Sequence, residues 1–404
     1  MRRHEPETVG AASDPTHSRP HASHVPSIVI GAALSLTGRF SLQGRQAQRG
    51  LTLWAEQVNR DGGLQIGAGA SRHRVSLLIY DDASRRAAAT ALIEQLIVTD
   101  QVMLLFGPYS SVLALAAAEV AHRHGRVLWN HGGSSDAIAG RGWQRIVNLL
   151  TPASQYAAPV LQWAAGLRQE AGLPAQTLAV VRGAGGTFPA AVAAGARAEA
   201  VRLGLSVVLD ATYPDADDGW PALVATLRDR RPDIVLGVGT TDADIAFARE
   251  LRRQHAVAPT TALVAAPIEA FRAALADDAD GFCGPSQWEP SADDRPDIGP
   301  TSSAFAAAFF AHFGVIADYP AAQAFAAGLL AAHCAEQAGT CDDAALWEAA
   351  SDLNLTTCYG RFRLDRLTGQ QIGHAMSLVQ WQHGQKVQVG PPPTNGIVRV
   401  GPGA

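Results

Sequence analysis

Residues 127–138 read VLWNHGGSSDAI, a short apolar strand that breaks into a small hydroxyl-rich loop just before a helix. Gly132 and Gly133 have no side chain to keep a ligand from the backbone, so their amides suit an anion or a carbonyl, and Ser134 and Ser135 add hydroxyls. Taken alone, Gly-Gly-Ser-Ser is also an ordinary turn. Its neighbours along the chain decide between the two readings.

Upstream, Ile28 to Leu34 is a continuous apolar run of the kind a strand buried on both faces requires. Ser35-Leu36-Thr37-Gly38 and a helix from about Leu42 to Asn59 follow, ending at Asp61-Gly62-Gly63. Arg74 to Tyr80 reads as a second strand, with Asp81-Asp82 as strand end and helix cap and not an acid/base pair, then a helix over about Arg85 to Val98. A third strand, Val102 to Phe106, runs into Gly107-Pro108-Tyr109-Ser110-Ser111 and a serine-capped helix from Ser111 to His124. Downstream of the opening loop come a strand at Arg145 to Leu149 and a helix from about Ala153 to Ala171.

The same order then repeats. Strands are expected at Thr177 to Val181, Leu205 to Thr212, Asp233 to Val238 and Thr261 to Val264, with helices at Phe188 to Leu203, Trp220 to Arg230 and Asp242 to His255. Only the order of elements recurs, not the sequence, which predicts two α/β lobes with a cleft between them and not a solenoid. In doubly wound parallel sheets ligands lie outside the carboxyl ends of the strands. The loops there are Ser35 to Ser41, Gly107 to Ser111 and Asn130 to Ser135 in the first unit, and Arg182 to Phe188, Gly239 to Asp242 and Ala265 to Glu269 in the second.

With 404 residues, 47% of them hydrophobic, the chain can bury a large core in roughly two to three domains. The net charge of −5 comes from interspersed signs, which argues against nucleic acid or an acidic membrane surface as partner. The Ala-rich runs are broken by Glu, Ser, His and Gln before reaching the roughly 18 apolar residues a membrane span needs, so no direct membrane insertion is expected. Residues 1–27, rich in His, Pro, Ser, Arg and Glu, read as a disordered arm. Arg2 and Arg3 are followed by His4, Glu5 and Pro6 without the apolar run of a secretory signal; His4, His17, His21 and His24 there have no scaffold to bind a metal. Cys283, Cys334, Cys341 and Cys358 lack zinc spacing and read as buried thiols, with a Cys334–Cys341 pair open only in an oxidising compartment.

Four phrases in this order, IVIGAALSLTGRFSLQG, IYDD, LLFGPYSS and VLWNHGGSSDAIAGRG, joined by Asn59-Arg60-Asp61-Gly62-Gly63, resemble the successive blocks of the type I periplasmic binding proteins for leucine, isoleucine and valine, the substrate receptors of ABC importers. GFCGPSQWEP, DYPAAQAFAAGLLAAH and a closing pair of strands, TTCYGRFRLD and HAMSLVQWQHG, are similar to that family's C-terminal region. The resemblance implies two doubly wound parallel-sheet lobes joined by a hinge of three crossovers near Leu150, Ala276 and Asn354. Lobe 1 would hold residues 28–150 and 277–354, lobe 2 residues 151–276 and 355–390, and residues 391–404 a flexible tail.

It also implies a cleft in which Ser110 or Ser111, with Gly132, Gly133 and Ser134, binds a ligand carboxylate, Phe188 of the second lobe closes on it, and Arg39, Phe40 and Ser41 form the first loop. Tyr109, His131, Arg182 and Thr240 belong to the loops that meet there, with Arg182 read as a solvated strand-end charge ahead of a partner for a second ligand carboxylate. Where family members that bind α-amino acids carry an acid for the ammonium, this chain has Val264-Ala265-Ala266-Pro267-Ile268. Either Glu269, Asp242 or Asp244 takes that part, or the ligand has no amino group.

Enzyme motifs are weak. Gly183-Ala184-Gly185-Gly186-Thr187-Phe188 lacks the last small residue of a dinucleotide fingerprint, and His131 beside Ser134 has no orienting third group. No cofactor is expected. Trp288 and Tyr319 read as core, with the hinge side of the cleft as the alternative. The expected function is capture of a small polar ligand, such as an amino acid, amide or small carboxylic acid, for ABC permease subunits if the protein is exported, or for a regulatory protein partner if it stays in the cytoplasm.

Overall fold

The computed structural model describes residues 27–67, 71–171, 176–215, 217–292 and 295–390. The expected N-terminal arm and C-terminal tail fall almost entirely outside them. The first sheet is built from β1 (Ser27–Leu34), β2 (Leu64–Gln65), β3 (Arg72–Asp81), β4 (Leu104–Phe106), β5 (Leu128–Asn130) and β6 (Ile146–Asn148). Its order is β2-β3-β1-β4-β5-β6, parallel except for the edge pair β2–β3. Connecting them are α1 (Ser41–Arg60), α2 (Arg86–Val98), α3 (Ser111–Arg123) and the short α4 (Asp136–Ala139).

The continuous apolar run of β1 has its explanation in two cores. Ile28, Ile30, Ala32 and Leu34 enter the one beneath α1, while Ala33, with Val29 packed beside it, joins the one beneath α2 and α3. Successive side chains of a strand point to opposite faces, so burial on both leaves no polar position.

The second unit comprises α5 (Ala158–Ala171), β7 (Thr177–Arg182), α6 (Thr187–Leu203), β8 (Ser206–Thr212), α7 (Trp220–Arg230), β9 (Ile234–Val238), α8 (Thr241–Arg253), β10 (Thr260–Leu263), α9 (Glu269–Leu275) and β11 (Cys283–Ser286). The chain then returns to the first lobe through α10 (Ser302–Phe313), α11 (Tyr319–Ala338), α12 (Asp343–Asp352) and the hairpin β12 (Asn354–Thr357) and β13 (Gly360–Arg363). It ends in the second lobe with β14 (Ser377–Gln382) and β15 (Gln385–Gly390), giving a seven-stranded sheet of order β15-β14-β11-β10-β9-β7-β8. Strands β7 to β11 are parallel, and β14 and β15 are antiparallel to their neighbours. Two cores cover its faces, with Leu178 and Val180 in one and Ala179 and Val181 in the other.

Helices α1 and α11 pack closely enough that a Cβ on Gly50 would lie 2.2 Å from the Ala321 carbonyl oxygen, and one on Gly328 would strike the Trp54 indole at 2.3 Å. Two boundaries differ from the expected ones. Strand β11 pairs with β10 and β14, so the second crossing lies after Ser286 and not near Ala276. TTCYGRFRLD does not pair with HAMSLVQWQHG: it folds on itself as β12–β13, and Leu355, Cys358, Tyr359 and Phe362 join the first lobe's core. The third crossing therefore follows Leu364, and the partner of β14 is β15, a second hairpin closed by His383-Gly384. All four cysteines are free thiols, and among the described residues no helix is long and apolar enough to cross a membrane.

Candidate functional site

The carboxyl ends of both sheets face each other across a cavity of about 220 Å³. From the first lobe the loop after β1 contributes Arg39 and Phe40, the loop after β4 contributes Tyr109, Ser110 and Ser111, and the loop after β5 contributes Gly132 and Ser134. From the second come Gly183 to Pro189 in part, Gly239 to Thr241, and Val264, Ala265 and Ile268. Hydrogen bonds join the lobes at its margins: Gln43 Nε2 donates to Thr241 Oγ1 at 3.1 Å, the Glu269 amide donates to Asp318 Oδ1 at 3.3 Å, and on the hinge side the Ala153 amide donates to the Ser134 carbonyl at 2.7 Å.

The aspartates at the end of β3 hold the first loop. Asp81 Oδ1 accepts from the amides of Leu36 (2.9 Å), Thr37 (3.2 Å) and Ala83 (2.8 Å), and its Oδ2 accepts from Thr37 Oγ1. Burial raises the Asp81 pKa, but these four donors outweigh it and hold the carboxyl below its usual range. Asp82 Oδ1 accepts from Ser35 Oγ and the Ser84 amide, both at 2.7 Å, and Ser84 Oγ in turn accepts from the Phe40 amide at 3.1 Å. Phe40 meets Tyr109 edge-on at 6.0 Å and lies under the Arg39 guanidinium at 4.5 Å.

Asn130, at the end of β5, builds the glycine turn. Its Oδ1 accepts from the Gly133 amide at 2.9 Å, and its Nδ2 donates to the Gly133 carbonyl and to Asn148 Oδ1, both at 2.7 Å. The Gly133 N–H is thus engaged and Gly133 does not line the cavity, contrary to the expectation of a ligand amide there. The two glycines serve packing instead: a Cβ on Gly132 would lie 2.4 Å from the Pro108 carbonyl oxygen, and one on Gly133 2.3 Å from Ala114 Cβ. Ser111 Oγ accepts from the Ser135 amide at 3.0 Å, which locks this turn to the start of α3.

Ser110 is different. Its φ of +80° is a conformation that costs a side-chain-bearing residue about 1–3 kcal/mol, and its buried Oγ has no partner among the described residues. Thr187, opposite it on the second lobe at the start of α6, likewise carries a buried, unpartnered hydroxyl at the cavity. Buried hydroxyls without partners are uncommon in folded proteins, and here one comes from each lobe.

Three more expected residues are placed elsewhere or otherwise. His131 is buried against Phe106, with a ring separation of 6.3 Å and neither nitrogen partnered among the described residues. It does not line the cavity, and burial drives its pKa down to about 4, so the ring is neutral. Arg182 also lies off the cavity wall, 3.9 Å from Asp210, too far for a hydrogen bond. Tyr319, expected in the core, faces the cavity, where its hydroxyl bonds that of Tyr109. Trp288 is core, donating its indole N–H to the Cys358 carbonyl at 2.8 Å.

Of the acids considered for an ammonium, none lines the wall. Asp244 is fully buried, accepting from Tyr213 Oη at 2.8 Å and the Ala265 amide at 2.9 Å. Burial raises its pKa to about 6 against the pull of those donors. Asp242 is exposed. Gln43, Thr187, Tyr156 and Gln287 complete the polar lining and were not picked out from sequence. Gln287 Nε2 donates to Tyr156 Oη at 2.8 Å and its Oε1 accepts from Tyr359 Oη at 2.6 Å, closing the hinge side.

A model of the periplasmic binding protein family matches residues 27–386. Leu/Ile/Val-binding protein homolog 8 of Brucella abortus is 25% identical over 228 residues, 55% of this chain and 54% of the relative. The match thus spans about half the length of that curated relative. Two solved structures share the fold. The branched-chain amino acid transporter substrate binding protein of Streptococcus pneumoniae, in complex with isoleucine, has a TM-score of 0.76 at 16% identity, covering 90% of this chain and 99% of that one. A solute binding protein of an ABC transporter from R. palustris, in complex with benzoate, has a TM-score of 0.75 at 20% identity, covering 90% and 96%.

Proposed function

We infer, from the premise that this chain belongs to the periplasmic binding protein family, that it is the solute receptor of an ABC importer and captures a small organic acid by closing its lobes. The observation that carries this reading is a cavity walled by strand-end loops of both lobes, with an unpartnered hydroxyl on each side. A ligand there is desolvated only when the lobes meet, so its affinity depends on closure, as in hinge-bending receptors.

The carboxylate is assigned to the first lobe. Ser110 Oγ donates to it, and the free amides at the start of α3 face it with the positive end of the helix dipole. Phe40 and Phe188, one from each lobe, cover the remainder. The closed form is what the permease subunits would recognise. In the two solved relatives the bound molecules are isoleucine and benzoate, both carboxylates, in keeping with this assignment.

The test is calorimetric titration of the full chain with small carboxylic and amino acids, together with mass spectrometry of what copurifies with it. Ser110→Ala is expected to weaken binding about tenfold, the loss of one charge-assisted hydrogen bond of about 1.5 kcal/mol, while leaving the melting temperature in place. Unchanged affinity in that variant refutes the site.

A further inference from the structure

The charges around the cavity restrict what it accepts. Among the described residues its wall holds no Asp or Glu, and Arg39 is its single ionic side chain. The acids closest in sequence to the wall are accounted for: Asp244 is engaged by Tyr213 and the Ala265 amide. Asp318, next to lining Tyr319, is buried and accepts from the Glu269 backbone amide at 3.3 Å, with Lys386 as the cation nearest it; Asp242, next to lining Thr241, is exposed; and none of these, nor Glu269, lines the wall.

The backbone adds to this. Helices α3, α6 and α8, of 13, 17 and 13 residues, all begin with residues that line the cavity: Ser111, Thr187 and Thr241. Each helix start carries about half a positive charge on its free amides. The starts of α3 and α6 carry no acid in their first turns, so one uncompensated positive end points in from each lobe, whereas Asp242 and Asp244 offset that of α8. An ammonium group placed between them meets no carboxylate and is opposed from both sides, and burying it unpaired costs several kcal/mol.

Beside its hydroxyl and amide groups the wall presents aromatic rings. Phe40 is fixed edge-on by Tyr109, and Phe188 is fixed edge-on by Tyr156 at 5.1 Å and 82°. Each lobe thus presents one braced aromatic ring. Edge and face contacts between rings add about 0.5–1.5 kcal/mol beyond area burial, which favours a flat unsaturated body over a branched aliphatic one.

We propose that the ligand is an arylcarboxylate without an amino group, its acid on Ser110 and the α3 amides and its ring between Phe40 and Phe188. This rests on the receptor reading above and narrows it. Any further polar substituent on the ring is an acceptor or a hydroxyl, because the second lobe offers Thr187 Oγ1 and the start of α6, which has no acid in its first turn and does not neutralise a cation.

Matched pairs test it. The full chain is titrated with 3-phenylpropanoate against L-phenylalanine and with 4-methylpentanoate against L-leucine, each pair differing only in the α-ammonium, and with benzoate. The amino-free member of each pair is expected to bind at least about tenfold tighter, and the aryl acids to bind tighter than 4-methylpentanoate. Thr240→Asp introduces a carboxylate at the wall while keeping the side-chain cap that Thr240 gives the Ala243 amide; it is expected to weaken the aryl acids and narrow or reverse the preference over the amino acids.

Tighter binding of L-leucine or L-phenylalanine than of the amino-free partner overturns this inference and leaves the receptor reading standing. Preference for 4-methylpentanoate over both aryl acids overturns the aromatic assignment. If none of these compounds binds and no small acid copurifies with the chain, the receptor reading fails as well.

Discussion

Asp318→Asn isolates one buried charge at the junction of the lobes. Asp318 precedes α11 and is 6% exposed; its Oδ1 accepts from the Glu269 amide of the other lobe, and Lys386, Glu269, Glu289 and the Tyr319 hydroxyl surround it. Lys386 donates instead to the Pro267 carbonyl at 2.9 Å and pairs with Glu289 at 3.1 Å. Burial is the largest influence on Asp318 and raises its pKa from 3.8 to about 7; Lys386 opposes the rise and the neighbouring glutamates add to it. A carboxyl whose folded-state pKa lies above its unfolded value contributes stability that is fully present below about 4 and is lost as pH rises through about 7. One pKa unit corresponds to about 1.4 kcal/mol, so the loss across that window is of order 4 kcal/mol.

Asparagine keeps the oxygen that accepts from Glu269 and removes the titration. The variant is therefore expected to be more stable than the parent by a few kcal/mol at pH 8, and to match it near pH 4.5 within about 1 kcal/mol. Urea unfolding at a series of pH values measures both. Asp244, also buried with a raised pKa but not among the groups acting on Asp318, contributes alike to parent and variant and cancels in the difference. Parallel stability curves for the two proteins would refute the assignment of this slope to Asp318.

Thr187→Ala removes a hydroxyl that has no partner among the described residues, so ligand affinity should fall about tenfold with stability changed by under about 0.5 kcal/mol; a drop in melting temperature without loss of affinity contradicts its role. Gly195→Ala places a Cβ 1.8 Å from the Ser154 carbonyl oxygen and is expected to destabilise by about 1–3 kcal/mol in thermal unfolding. Asn130→Ala leaves the Gly133 amide and carbonyl unanswered and should cost a similar 1–3 kcal/mol while also weakening binding, since the turn carries Ser134; an unaffected affinity would show that the turn keeps its shape without the amide clamp.

The lobes were legible in the sequence because strands buried on both faces leave unbroken apolar runs such as Ile28 to Leu34; helix caps carried less, since even the expected serine cap of α3 makes no side-chain bond. The two late crossings were not. Thr356 to Asp365 looks like one strand, since Arg361 and Arg363 alternate with Phe362 and Leu364, and only the pairing of Thr357 with Gly360 turns it back on itself. Alternation records which side of a ribbon is covered, not which ribbon it joins.

The site divides along the same line. Arg39, Phe40, Tyr109, Ser110, Ser111, Gly132, Ser134, Phe188 and Thr240 sit on strand-end loops that chain order alone brings to one side, and the structure places them around the cavity. His131, Gly133 and Arg182 share those loops yet face away. Membership of a loop fixes where a residue's backbone lies, whereas the direction of its side chain follows from what the neighbouring turns occupy. Asn130 makes this concrete: by taking up both the amide and the carbonyl of Gly133, it turns the glycine backbone away from the cleft and leaves hydroxyls, not turn amides, to meet the ligand. The role proposed for Ser110 and Thr187 thus rests on what they lack, a partner among the described residues, and that is visible only once every nearby donor and acceptor has been placed.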